Sequence, residues 1–127
     1  MRWSSIAGAA ALLLLVVVTV GQTQDACRVD LGRGWSTGVG QGRIVMKNTG
    51  AGCGATLAAD PDAAILVDDI QLTARPRHGV VTLAPPRFTY TPDAGFAGAG
   101  TFSLSARGAS RDGRRIELRG AVAVEVR

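Results

Sequence analysis

From residue 65 to residue 127, apolar residues return at every second position, in short bursts stopped by Pro or Gly. Ile70, Leu72 and Ala74 alternate with Gln71, Thr73 and Arg75. Phe88 and Tyr90 alternate with Thr89 and Thr91, and Phe102, Leu104 and Ala106 with Ser103, Ser105 and Arg107. The last segment sets Ile116, Leu118, Val122, Val124 and Val126 against Glu117, Arg119 and Glu125. A period of two sends neighbouring side chains to opposite faces, which describes strands buried on one side. No helical periodicity of useful length competes with it after residue 21. Ile65–Val67 and Val80–Leu83 are shorter apolar runs of the same kind. Pro76 and Pro92 cannot donate to a ladder, so each ends a strand or lies on an edge. Asp112-Gly113 is a hairpin signal, and Gly120 marks an expected bulge in the final strand.

The preceding stretch is built differently. Eight glycines fall between Gly32 and Gly54, which rules out a long helix because each interior Gly costs about 1 kcal/mol against Ala. One island, Gly42 to Asn48, has the β-branched centre of a strand, and Asn48-Thr49-Gly50 reads as the turn that ends it. Trp35 stands alone among the glycines. It reads as a lid on one end of the core, with a surface platform for a sugar as the alternative. Residues 55–64 are Ala-rich around Asp60-Pro61-Asp62 and fit a loop or short helical turn. About seven short strands at roughly 10-residue spacing imply an all-β sandwich.

The chain starts with Arg2 and then an apolar run from Ile6 to Val20, broken only by Gly8 and Thr19. A membrane-spanning helix needs about 20 apolar residues. A shorter run after a positive start, closed by small residues, reads as a secretory signal peptide over residues 1–21. Cleavage is expected after Gly21. A cut after Ala26 would put Gln24 in a poor position, and an uncleaved anchor is the other reading. Residues 22–127 are then one domain: a Gly-rich part over 22–64 and a regular part over 65–127. No membrane insertion is expected after cleavage.

Export gives the cysteines their meaning. Cys27 and Cys53 are the only two in the chain, and an even count in an oxidising compartment implies a disulfide. A bacterial lipoprotein signal would need an aliphatic residue and a small one where Gln24 and Asp25 stand, so Cys27 is better read as the partner of Cys53. Metal binding is not expected, because His78 is the only histidine and the thiols lack close partners. Without Arg2, 13 basic residues face 10 acidic ones. Arg107, Arg111, Arg114, Arg115 and Arg119 crowd near the C-terminus, where they read as a solvated strand edge rather than a nucleic-acid patch.

Pro76-Arg77-His78-Gly79, Phe88-Thr89-Tyr90-Thr91-Pro92, Gly95-Phe96-Ala97-Gly98 and Thr101-Phe102 follow one another in order before the Val-rich end. This chain of motifs resembles the bacterial Ig-like, cadherin-like domains of tandem surface adhesins, over about residues 65–127. The resemblance implies a Greek-key Ig-like sandwich in which Pro76, His78, Gly79, Tyr90, Pro92, Gly95, Phe96, Gly98 and Phe102 are structural. Tyr90 and Phe96 are expected as core anchors, and His78 as a hydrogen-bonding partner for loop backbone. Two departures stand out. Gly100 replaces an expected Asp, which weakens any calcium site built from Asp68, Asp69, Asp93 and Asp112. The disulfide-bearing N-terminal half lacks the family's usual opening, which suggests a lone-domain variant.

Ser103, His78 and Asp93 make a catalytic triad only on paper, since nothing in their spacing supports it. No catalytic residue and no cofactor are expected. The reading is a secreted, periplasmic or extracellular module of a Gram-negative bacterium that binds a protein or glycan of the cell envelope. The alternative is a structural or accessory protein, subunit or inhibitor of a larger envelope assembly.

Overall fold

The computed structural model describes residues 26–57 and 66–127. The expected signal peptide, its cleavage point and most of the Ala-rich run lie outside the described residues. Eight strands follow in order: β1 (Cys27–Asp30), β2 (Gly40–Met46), β3 (Cys53–Thr56), β4 (Leu66–Ala74), β5 (Gly79–Ala84), β6 (Arg87–Pro92), β7 (Gly98–Ala109) and β8 (Arg115–Val126). Among the described residues a 3-10 turn spans Trp35–Thr37.

The strands form two sheets, one of five in the order β1-β2-β8-β7-β4 and one of three in the order β3-β6-β5. The trio β3-β6-β5 opposite β4-β7-β8 is the B-E-D against C-F-G arrangement of an Ig-type sandwich. β2 adds to the far side of β8 in parallel, and β1 pairs antiparallel with β2. The disulfide Cys27–Cys53 therefore joins the edge strand of one sheet to the edge strand of the other.

The alternation read from the sequence is the alternation that packs. Phe102, Leu104 and Ala106 of β7 point inward, with Leu118, Val122, Val124 and Val126 of β8 beside them. Phe88 and Tyr90 of β6 face them from the other sheet. Tyr90 stacks on Phe102 with ring centres 5.9 Å apart, and Phe88 meets the same ring edge-on at 6.1 Å. These three rings join the two layers at the centre of the core.

Several local expectations need correction. Gly120 is not a bulge, because the β7–β8 register runs unbroken through Leu104↔Gly120 and Phe102↔Val122. It occupies an ordinary inward position and leaves a slot there. Gly40 and Gly42 leave the same space on β2, and the indole of Trp35 fills it: a β-carbon at Gly40 would lie 2.5 Å from that ring. The Gly-rich stretch thus makes room for one large side chain. Trp35 is fully buried, and its indole N–H donates to the Leu31 carbonyl at 2.6 Å. It caps the core and is no surface platform for a sugar.

The bulges lie in β4 instead. The register steps from Val67↔Gly108 to Asp69↔Arg107, and again from Leu72↔Leu104 to Ala74↔Ser103. Asp68 and Thr73 are the extra residues. The first bulge lets Val67 and Ile70, three positions apart, both face the core. It also merges Leu66-Val67 and the Ile70–Ala74 alternation into one strand. The second turns Ala74 outward. Ala55 and Thr56, expected in a loop, belong to β3, and β1 around Cys27 adds a strand the alternation did not reveal. The crowded C-terminal arginines sit on β7, β8 and the turn between them: Arg107 lies between β4 and β8, whereas Arg115 and Arg119 lie on the stretch of β8 before Gly120 that β2 does not reach, a locally open strand edge.

Candidate functional site

The motif residues meet at one end of the sandwich. Pro76 follows β4, His78 immediately precedes β5 and Gly79 opens it, Tyr90 and Pro92 lie on β6, and Gly95 and Phe96 form the link to Gly98 and Phe102 on β7. The His78 carbonyl accepts two hydrogen bonds, from the Tyr90 hydroxyl at 3.0 Å and from the Asp93 N–H at 3.0 Å. Burial pushes the Tyr90 phenol above its ordinary pKa, with the Asp93 charge adding to the effect. A β-carbon at Gly79 would stand 2.6 Å from the Tyr90 ring, so glycine is what lets the ring pass beneath β5. The Asn48 side-chain amide donates to the carbonyls of Asp93 at 2.8 Å and Phe96 at 3.0 Å. Asn48 is a tie that the turn reading of Asn48-Thr49-Gly50 missed. Only its amide chemistry hinted at it, since the partner carbonyls lie some 45 residues away.

Two motif residues behave differently from expectation. Phe96 packs against the core but is only partly buried, because its ring lies flat on the imidazole of His78, 4.5 Å away and tilted by 13°. His78 meets the loop through its carbonyl and this stack, while its side chain is exposed. The cluster is a latch that holds β5, β6 and the β6–β7 link together.

Among the described residues, the side chains considered for catalysis or metal binding are held apart. Ser103 lies on the outer face of the five-stranded sheet, since its neighbours Phe102 and Leu104 point inward. His78 and Asp93 belong to the other sheet and its following loop, so the paper triad does not assemble. Asp68 accepts two bonds from the Arg115 guanidinium, at 2.8 and 3.3 Å, and that partner holds its carboxyl below the usual range. Asp112 accepts from the Ser110 hydroxyl, which likewise lowers its pKa. Among the described residues, no three His, Cys, Asp or Glu side chains come together as a metal set would require.

What remains is surface. The outer face of the five-stranded sheet carries short side chains at its middle, Thr101 and Ser103 on β7 opposite Ala123 and Ala121 on β8. A shallow depression of about 450 Å³ lies over it, lined by Gln41, Thr73, Ser103, Arg119 and Ala121 among others. Ion pairs rim this face: Arg43–Glu125 at 3.0 Å, Arg119–Glu117 at 3.0 Å and Arg115–Asp68 at 2.8 Å. All are exposed, so each contributes little to stability, and they pair two of the five crowded arginines, Arg115 and Arg119, with carboxylates.

The sides of the sandwich differ from each other. One is closed by Cys27–Cys53 between β1 and β3. The other lies between β4 and β5, where a depression of about 440 Å³ is lined by Leu72, Arg75, Pro76, Gly79, Val80 and Val81.

The bacterial Ig domain model matches residues 39–119. That span begins just before β2, well ahead of the segment that carries the sequence resemblance, and it leaves out β1 with Cys27. No curated protein matches the chain. The family has no catalytic or metal-binding architecture, in keeping with a molecule whose polar groups serve the fold. With topology, latch and family match in agreement, the chain belongs to the bacterial Ig domain family.

Proposed function

We propose that the protein is an exported, non-enzymatic module that binds a protein or glycan of the bacterial cell envelope. The observation that carries this reading is the Cys27–Cys53 bridge. Disulfides persist in oxidising compartments, and this one sits where a reducing compartment would leave two sheet edges untied. The apolar run behind Arg2 supports export. Binding follows from what the surface offers. With no reacting group assembled among the described residues, recognition by exposed faces and edges is the chemistry left to the molecule.

Cell fractionation followed by binding tests this. The protein expressed with its own leader should appear in the periplasm or medium. When immobilised, it should retain a defined outer-membrane protein or surface glycan from envelope extract, and a Phe102→Ala variant that has lost its fold should not. Retention in the cytoplasm, or an envelope extract from which nothing binds in a fold-dependent way, would overturn the proposal.

A further inference from the structure

We propose that β5 is a strand-addition site, where the partner docks an extended segment, apolar at alternate positions and acidic at one end. The proposal rests on the binding reading above and names the mode and chemistry of that binding.

Four strands are outermost in their sheets: β1 and β4 in one, β3 and β5 in the other. Proteins guard such edges with short length, charge or bulges, because unpaired backbone groups recruit other strands. Three of the four follow this rule. β1 and β3 are four residues each, β1 carries Arg28 and Asp30, and both are tied by the disulfide. β4 is bulged twice and carries Asp68 and Asp69. β5, Gly79-Val80-Val81-Thr82-Leu83-Ala84, has none of these guards. It carries no charge, its register with β6 is unbroken, and Val80 is 61% exposed.

The hydrogen-bond phase of the edge follows from its neighbour. Asp93 donates to the His78 carbonyl, and Gly79 stands opposite Pro92, which has no N–H. In an antiparallel ladder, bonded pairs alternate with unbonded ones. Val80, Thr82 and Ala84 therefore bond β6. The N–H and C=O groups of Gly79, Val81 and Leu83 point away from it, and among the described residues β5 pairs with no other strand. The side chains of Val81 and Leu83 are only partly covered, although they pack against the core. An added strand would complete the ladder and bury both.

Charge selects the occupant. Arg75 lines the depression beside this edge, with Arg77 two residues on, and among the described residues no carboxylate pairs with either. A carboxylate-ended segment satisfies this end.

The probe is a synthetic peptide of alternating valine and threonine with two glutamates at one end, added to the mature, oxidised protein. Amide exchange should slow by about tenfold at Gly79, Val81 and Leu83 and stay unchanged at Val80 and Thr82, which are already bonded. Arg75→Glu with Arg77→Glu should weaken the peptide by about fivefold and favour a lysine-ended one instead. Val81→Pro removes an outward N–H without touching the β6 ladder, and should abolish binding in a protein that still melts cooperatively. Absence of protection at the three amides, protection there from self-association without peptide, or indifference to the charge reversal would overturn the proposal. If the envelope partner still binds Val81→Pro and the charge-reversed protein, the edge proposal fails while the binding module stands. If wild type binds no envelope component, the broader reading fails.

Discussion

Trp35 and Gly120 meet at the end of the core, where a β-carbon on residue 120 would stand 2.7 Å from the indole and 2.6 Å from the Gly40 carbonyl. The second of these neighbours is backbone and cannot swing aside. Gly120→Ala should therefore cost about 1–3 kcal/mol, the range for overpacking a tight interior. Gly100→Ala is the control, since a β-carbon there meets nothing within 4 Å. It should be neutral or slightly stabilising. Denaturant melts of both variants decide the matter, and equal midpoints would show that the indole is not wedged against β8.

Tyr90 is the only tyrosine, so its titration can be followed directly by tyrosinate absorbance. Its folded pKa is raised by burial, which means the fold favours the neutral phenol. The folded state then holds a proton that the unfolded chain releases above its own tyrosine pKa of about 10. The contribution is complete below that value and is lost as pH rises through the folded pKa. Tyr90→Phe should remove this alkaline loss. At neutral pH it should cost only about 0.5–1.5 kcal/mol, because the His78 carbonyl keeps its bond from Asp93. A wild type and a Tyr90→Phe variant with the same alkaline slope would contradict the burial argument.

Phe102 and Phe96 separate core from latch. Phe102 is fully buried between two other rings, and its loss should cost about 3–5 kcal/mol. Phe96 is only partly buried and stacks on the exposed His78 ring, so Phe96→Ala should cost about 1–3 kcal/mol, less than a buried aromatic. His78→Ala and Phe96→Ala should couple by about 0.5–1.5 kcal/mol in a double-mutant cycle, as stacked rings do. Strict additivity would mean the stack contributes nothing.

The regular half of the fold was legible because its signal is local. Each inward residue of β6, β7 and β8 announces itself by its neighbours, and Asp112-Gly113 marks the turn between the last two strands, with Gly113 at φ 82°. The rest depends on distant partners. Nothing near Gly120 in sequence says that Trp35, 85 positions earlier, fills its slot, so a packing glycine resembles a bulge. β4 hides behind its own bulge, which breaks the alternation at Asp68. β1 and β3 are four residues each, too short for a period to emerge, and what fixes them is the disulfide and the sheet they join. The latch motifs were visible, but the exposure of Phe96 was not, since a ring stacked on an exposed imidazole has the same sequence as one in the core. The open edge of β5 was invisible for the same reason: Val80 to Leu83 reads as any apolar strand until the sheet order leaves one side of it bare.

Export and the staple are tested most directly by the intact mass of the protein recovered from the periplasm or medium after expression with its own leader. The predicted mass is that of a chain starting at Gln22, two hydrogens below the reduced value, with both cysteines inert to thiol reagents. Reduction should then lower stability by about 3–4 kcal/mol, the range for a loop of this length. A cytoplasmic full-length chain, free thiols at both positions, or a diacylglycerol on Cys27 would contradict it.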